Sequence, residues 1–423
     1  MKGGLTIVII LAILLIAVDL YTFKGIKLLI RDIDGLFIRR TITLIYWLLS
    51  GLMLTLLFYS FGNFNSAVES HSYRIPFTVA SIFMVYLSPK FLFIIFHLIE
   101  DIGFIGYWGV TKSIGSQNET SEVLSRGEFL AQTISKVGLG IAGIHLGAMI
   151  YGVARGRFDF KVVHQPIEFD NLPSSFDGTK IVQLSDIHVG SFFENYDEVK
   201  KAIQKVNELD PDYILFTGDM VNNYAWELDG WEEIFGSLKA KKGKFSVLGN
   251  HDYADYVQWD SEIEKQKNLE DLKRRQEKMG FKLLLNETVR LENKGDFIEL
   301  LGLENWGKGR FAKYGDLKKT MLKSAGDAFK ILMSHDPSHW DEQVLEKTNI
   351  DLALAGHTHG MQYGVKIGNF QFSPVQFRYP RWAGLYTEDK QHLYVNRGFG
   401  YIGFAGRVGI TPEITLLELR KKV

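Results

Sequence analysis

The chain contains eleven histidines, and five of them fall in short blocks that could hold metal ions. In Gly356-His357-Thr358-His359-Gly360 two imidazoles are one residue apart, so an extended backbone points both the same way. Asp186-Ile187-His188 repeats that spacing with a carboxylate and an imidazole, leaving Ile187 to anchor the opposite face. Gly218-Asp219 sets a carboxylate behind a residue that permits a tight bend. Gly249-Asn250-His251-Asp252 offers a neutral oxygen, an imidazole that can reach a substrate, and a second acid. That acid, Asp252, is suited either to orient His251 or to cap the next segment. His335, after Ser334, adds one more nitrogen. Taken singly, each block has a plain reading as a cap, a turn or a structural histidine. Together they supply enough nitrogen and oxygen donors for two cations about 3.5–4 Å apart, the arrangement that splits phosphate esters, with Asp219 suited to bridge them. With no cysteine in the chain, disulfides, thiolate metal sites and a cysteine nucleophile are excluded.

Elements that would position these blocks can be read around them. Lys180–Leu184, Tyr213–Thr217, Phe245–Leu248, Lys330–Met333 and Leu352–Ala355 are short apolar runs, each ending just before a block. Val199, Ile203 and Val206 recur at helical spacing until Asp210-Pro211, and Trp259–Met279 predicts a charged surface helix stopped by Gly280. Further strands are predicted at Thr288–Leu291, Phe297–Leu303, Leu393–Asn396 and Glu413–Leu419. Strands alternating with helices predict an α/β layered fold, in which sites form beyond the carboxyl ends of strands. All five blocks lie at such ends.

The first 154 residues are of another kind. Leu5–Phe23, Thr41–Phe61, Ile75–Ile99 and Val137–Val153 are apolar runs of roughly the 20 residues that cross a bilayer. Three domain segments follow: a membrane region 1–154, a connector 155–177 and a catalytic domain 178–423. Asp19, Lys90, His97 and His145 fall within or near the spans. Ionisable groups there are functional candidates by default, with pairing inside the bundle the plainer reading. Lys24, Lys27, Arg31, Arg39 and Arg40 lie between spans one and two, so that loop is expected in the cytoplasm. Alternation then puts the 101–132 loop inside and the catalytic domain outside the cytoplasm. A re-entrant third span, suggested by Pro89 and Lys90, would reverse this. The net charge of −1 gives no indication of a nucleic-acid partner.

The order of the blocks, the lead-in Phe-Asp-Gly-Thr-Lys-Ile-Val-Gln-Leu-Ser-Asp-Ile-His and the ending Pro412-Glu413-Ile414 resemble the calcineurin-like metallophosphoesterases over residues 178–420. In detail they look like its membrane-attached bacterial branch, which includes enzymes similar to a UDP-diacylglucosamine pyrophosphatase. The resemblance implies a four-layer α-β-β-α sandwich preceded by all-α transmembrane helices. It implies that Asp186, His188 and His359 bind one ion, that Asn250, His335 and His357 bind the other, and that Asp219 bridges them. His251 is then the catalytic histidine. The cofactors are two divalent cations (manganese, iron or zinc), and the reaction is attack on phosphorus by the hydroxide they share. Asn222 departs from the acid usual in the family's Gly-Asp-x-x-Asp pattern, which bears on tuning and not on the metals.

Arg378 and Arg381, in the basic-aromatic segment Arg378–Trp382, and Arg407, in the glycine-rich run Gly398–Gly409, are expected to contact a substrate phosphate. Four spans exceed the need of an anchor, so the expected partners are the bilayer and a phosphorylated, lipid-linked substrate cleaved at a phosphodiester or pyrophosphate bond. The alternatives are a broad phosphatase on soluble monoesters or nucleotides and a non-catalytic membrane protein that binds a ligand.

Overall fold

A computed structural model describes residues 2–31, 33–62, 73–114, 120–309, 311–368 and 370–422, with backbone only at 2–5, 104, 107–114 and 120–132. The chain divides into two compact units, Met1–Tyr151 and Gly152–Val423.

The first unit holds helices α1 (Lys2–Ile30), α2 (Leu36–Gly62), α3 (Arg74–Ile114) and most of α4 (Thr120–Ala154). Each contains a stretch long and apolar enough to span a bilayer: Thr6–Ile30, Leu36–Gly62, Arg74–Gly103 and Thr133–Ala154. Helix α3 runs unbroken through Pro89, so the third span is one continuous helix and not two shorter pieces. The loop expected at 101–132 is largely helical, since α3 continues to Ile114 and α4 begins at Thr120. Residues 63–72 of the second loop and 115–119 of the third lie outside the described residues.

The ionisable groups among the spans find partners. Lys90 Nζ lies 2.5 Å from Asp19 Oδ1, and Tyr86 OH donates to both Asp19 oxygens at 3.0 Å. His97 Nδ1 sits 3.0 Å from Glu100 Oε2, and His145 Nε2 lies 3.1 Å from Ser88 Oγ. In hydrocarbon such groups persist when paired, and the pairing inside the bundle expected from sequence is what these distances show.

The second unit opens with β1 (Lys161–Phe169), followed by β2 (Lys180–Leu184), α5 (Tyr196–Glu208), β3 (Tyr213–Phe216), α6 (Glu232–Gly236), β4 (Gly243–Ser246), α7 (Glu262–Lys278) and β5 (Phe281–Leu283). Next come β6 (Glu287–Asn293), β7 (Asp296–Gly302), α8 (Leu317–Met321), β8 (Lys330–Met333) and β9 (Leu352–Ala355). The hairpin β10 (Val365–Ile367) and β11 (Phe370–Phe372) precedes β12 (Gly384–Glu388), β13 (Gln391–Val395) and β14 (Glu413–Lys421). Two six-stranded sheets result, in the orders β1-β14-β2-β3-β4-β5 and β12-β13-β9-β8-β7-β6, while β10-β11 stands as a separate pair.

One apolar cluster joins the sheets. Ile181, Leu215 and Val247 on the side of the first meet Leu300, Ile331, Met333, Leu352 and Leu354 of the second. The alternate residues Val182, Leu184, Ile214 and Phe216 are buried on the opposite face of the first sheet. Helix α5 buries Val199, Ala202, Ile203 and Val206 at the expected helical spacing. This is the four-layer α-β-β-α sandwich. The segment expected to be a connector is instead part of the sheet, because β1 pairs in parallel with β14 along its whole length. Pro166 sits in its middle, and β1 is at the sheet edge, where a missing N–H is tolerated.

Candidate metal centre

Strands β2, β3 and β4 run parallel in one sheet and β8 and β9 parallel in the other, so all five blocks emerge at carboxyl ends. The loops are tied across the sandwich. His335 Nδ1 lies 2.7 Å from the Thr217 carbonyl, Gln183 Nε2 donates to Ala355 O at 2.9 Å, and His357 N donates to the Asp186 carboxylate at 3.0 Å.

Two donor groups form. Asp186, His188 and His359 make the first, and Asp219, His335 and His357 the second; within each group, ligand atoms lie within 4.8 Å of one another. His188 Nε2 is 3.1 Å from His359 Nε2, which is 3.2 Å from Asp186 Oδ1. In the second group His335 Nε2 is 3.3 Å from His357 Nδ1, and Asn250 Oδ1 is 2.8 Å from that same nitrogen. Asp219 Oδ2 stands between the groups, 3.1 Å from His335 Nε2 and 3.5 Å from His188 Nε2. Donors bound to a transition metal at about 2.0–2.2 Å lie roughly 3–3.5 Å apart, so this set fits two ions. The supporting bonds agree: the Thr217 carbonyl takes the Nδ1 proton of His335 and leaves Nε2 as a lone pair. Asn250 Nδ2 donates to Tyr256 OH at 2.8 Å, which leaves its carbonyl oxygen for the centre.

The backbone is under strain where the donors sit. Asp186, His188, Asp219, His357 and His359 all have positive φ, between 47° and 68°. Such turns need bare backbone beside them. A Cβ at Gly356 would fall on Ser185 Oγ and Asp186 Oδ2, and one at Gly249 would fall on Asp219.

Two buried carboxylates hold the loop after β3. Asp252 accepts from the N–H groups of Asp219 (2.9 Å), Met220 (2.8 Å) and Val221 (3.3 Å), and from Gly249 (2.9 Å). Glu227 accepts from Asn222 (2.7 Å), Asn223 (2.8 Å) and Tyr224 (2.8 Å). Six consecutive amides therefore point at two acids. Asp252 neither orients the His251 ring nor caps the next segment; it fixes Asp219. That ring is oriented by a backbone carbonyl, with Nδ1 at 2.8 Å from Asn222 O. Asn222, where the family has an acid, serves the site through its main chain, and its side-chain oxygen accepts from Ser191 Oγ at 3.2 Å.

Electrostatics follow burial and neighbours. Burial pushes the carboxyl of Asp186 up, but the His359 imidazole beside it holds it well below the usual carboxylate range. For Asp219, His335 does the same. Burial lowers His188, His251 and His357, favouring the neutral imidazoles that bind metal or exchange protons.

Of the three arginines expected at the substrate, two are engaged elsewhere. Arg381 bonds Asp341 at 2.9 Å and Glu388 at 3.0 Å and lies over the Trp340 ring. Arg407 is buried and donates to the carbonyls of Gly400 (2.8 Å) and Arg397 (2.9 Å), bracing the loops around His359. Arg378 remains exposed beside the Tyr379 ring. Sequence reading passed over Tyr379 itself, although it lies within the basic-aromatic segment. Its OH is 2.8 Å from His357 Nε2, with Asp336 Oδ2 3.5 Å from the same nitrogen. Phe311 and Tyr256 stand by His357 and His251, with ring centroids at 4.9 and 4.6 Å.

Comparison with known proteins identifies relatives of both units. Residues 5–157 match a family described as probable calcineurin-like phosphoesterase, transmembrane domain, and residues 179–361 match calcineurin-like phosphoesterase. A transmembrane protein with metallophosphoesterase domain from Danio rerio is 26% identical over 80% of this chain and 72% of its own length. The metallophosphoesterase YkuE of Bacillus subtilis is 30% identical over 64% of this chain and 90% of its own. A UDP-2,3-diacylglucosamine pyrophosphatase of Chlamydia trachomatis is 30% identical over 59% of this chain and 86% of its own. With a donor set of this type behind four membrane helices, the chain belongs to the calcineurin-like metallophosphoesterases, as a membrane protein and a metal-dependent phosphoric ester hydrolase.

Proposed function

We propose that the protein cleaves a phosphodiester or pyrophosphate bond in a lipid-linked envelope substrate. The observation that carries this is the pair of donor groups sharing Asp219 in a chain with four candidate spans. Asp186, His188 and His359 would hold one ion, Asn250, His335 and His357 the other, and Asp219 both. Two divalent ions in such a site supply Lewis acidity for the phosphoryl oxygens and a water acidified to a pKa of about 7. The all-nitrogen-and-oxygen donor set suits manganese, iron or zinc.

The chain's own groups do the rest. His251, with Nδ1 fixed on Asn222 O, has Nε2 free to carry a proton to the leaving oxygen. Arg378, unpaired with any acid among the described residues and exposed near Tyr379, is suited to a substrate phosphate. The pyrophosphatase among the relatives supports a phosphoanhydride or diester over a monoester. Four crossings, counted with α3 unbroken through Pro89, and the basic first loop support a catalytic unit outside the cytoplasm.

The test uses full-length protein in detergent micelles, stripped of metal and reloaded with manganese. Lipid-linked diesters and pyrophosphates should be cleaved faster than water-soluble monoesters. Equal cleavage of soluble monoesters, with no gain from micelles, would sink the lipid reading and favour a broad phosphatase.

A further inference from the structure

The hairpin β10–β11 belongs to neither large sheet. Its register pairs Val365 with Phe372 and Ile367 with Phe370, so four apolar side chains share one face and Lys366 and Gln371 the other. Most of that face is bare: Ile367 is 73% exposed, Phe370 63%, and nearby Phe377 82%, while Phe372 is half-buried. With Met361 and Val365, five of the eleven exposed large hydrophobics described in the second unit lie in this one stretch of chain. A two-stranded pair is marginal in water by itself, and an apolar cluster of this kind marks a contact surface.

Two connections say what covers it. The base of the hairpin is tied through a short ladder to the point where the chain enters this unit. Gly364 N donates to Val408 O at 2.9 Å, Val408 N to Gln362 O at 2.8 Å, and Arg407 N to Gly152 O at 3.1 Å. Gly152 is in the last turn of α4, whose candidate span Thr133–Ala154 ends two residues later. Two strand spacings, about 10 Å, then separate the hairpin base from Gly152, where the last candidate span runs into this unit. The excursion 361–378 is also bracketed by the metal site: it leaves after His359 and returns at Tyr379, whose OH touches His357. Arg378, exposed next to Phe377 in the chain, is a cation that suits an anionic headgroup.

We propose that the apolar face of β10–β11, with Phe377, seats in the surface of the bilayer and holds the mouth of the metal site at headgroup level. This rests on membrane attachment and not on the identity of the substrate, so it can fail while the proposed reaction stands, and the reverse.

The chain has no cysteine, so single labels are unambiguous. Full-length variants Ile367→Cys, Phe370→Cys and Leu322→Cys carry an environment-sensitive nitrobenzoxadiazole dye in liposomes of phosphatidylethanolamine and phosphatidylglycerol. Leu322, 80% exposed outside the hairpin, is the aqueous reference. Hydrolysis of a soluble chromogenic diester checks that each variant is folded. The ratio of quenching by a nitroxide lipid to quenching by iodide should be roughly fivefold higher at the hairpin than at the reference, as for side chains sunk into the interface. Iodide quenching equal to the reference would overturn the proposal. Shielding from both quenchers, with cross-linking to a second chain, would overturn it in favour of a protein partner.

Discussion

Removal of the His251 ring separates proton transfer from metal binding. His251 is outside both donor groups, and its backbone N–H to Asp219 Oδ1 (2.9 Å) survives truncation. In His251→Ala, therefore, both ions should stay while the group held by Asn222 O at Nδ1 is lost. Positioned acid–base groups contribute about 10²–10⁴ in rate, or roughly 3–5 kcal/mol of barrier, so kcat should fall by that factor. The loss should grow with leaving-group basicity: smallest for a nitrophenolate, largest for an alkoxide, because only the latter needs a proton to depart. The assay measures kcat on a series of diesters of graded leaving-group pKa, with metal per chain measured on the same samples. Loss of an ion in the variant would make His251 a ligand. A fall of less than about tenfold, uniform across the series, would remove it from proton transfer.

Three further outcomes are expected. Asp219→Asn weakens the one donor within reach of both groups, so metal per chain should drop from two to at most one and hydrolysis by at least about a hundredfold, as elemental analysis and turnover would show. Tyr379→Phe removes one of two partners of His357 Nε2 and leaves Asp336 at 3.5 Å. Affinity at one of the two sites, measured by chelator competition, should weaken about tenfold, with the thermal stability of the metal-free protein unchanged. His339 is buried between Ser334 Oγ (3.0 Å) and Gln343 Oε1 (3.3 Å), and burial lowers it from 6.5 to about 4. Its folded pKa is below the unfolded value, so its contribution is complete above about 6.5 and is lost as pH falls through 4. That contribution falls by about 2 kcal/mol between neutrality and pH 5, and His339→Gln should flatten the corresponding decline in Tm.

The parts of this molecule that sequence made legible were those set by local rules. Each metal block follows a four- or five-residue apolar strand, and the strand, its end and the donor can all be read within ten residues. The helix through Val199, Ile203 and Val206 was visible for the same reason. What stayed hidden depends on distant partners. Strand β1 is held by β14, some 250 residues on, and its Pro166 looks like a breaker until the strand is known to be an edge. Arg381 carries the same charge as Arg378, and only the fold reveals that Asp341 and Glu388 have claimed it. Strands β10 and β11 are three residues each, too short for any periodicity to register.

The donors themselves show why so much of the chain is devoted to holding them. Five of the seven have left-handed backbone, which costs on the order of 1 kcal/mol each for a residue with a side chain, or about 5 kcal/mol together. That is as large as the net stability of a marginal domain, so it persists only where surrounding contacts over-determine it. Those contacts can be named. Asp252 and Glu227 take six successive amides from Asp219 to Tyr224, and Asp186 takes His357 N from across the sandwich. None of these bonds involves an ion. The loops that carry the donors are therefore tied by the protein's own hydrogen bonds, which lowers the ordering cost that metal binding has to meet. The same logic separates the two acids of Gly249-Asn250-His251-Asp252 and Gly218-Asp219: one faces the centre, and the other accepts from four backbone amides, that of the first among them.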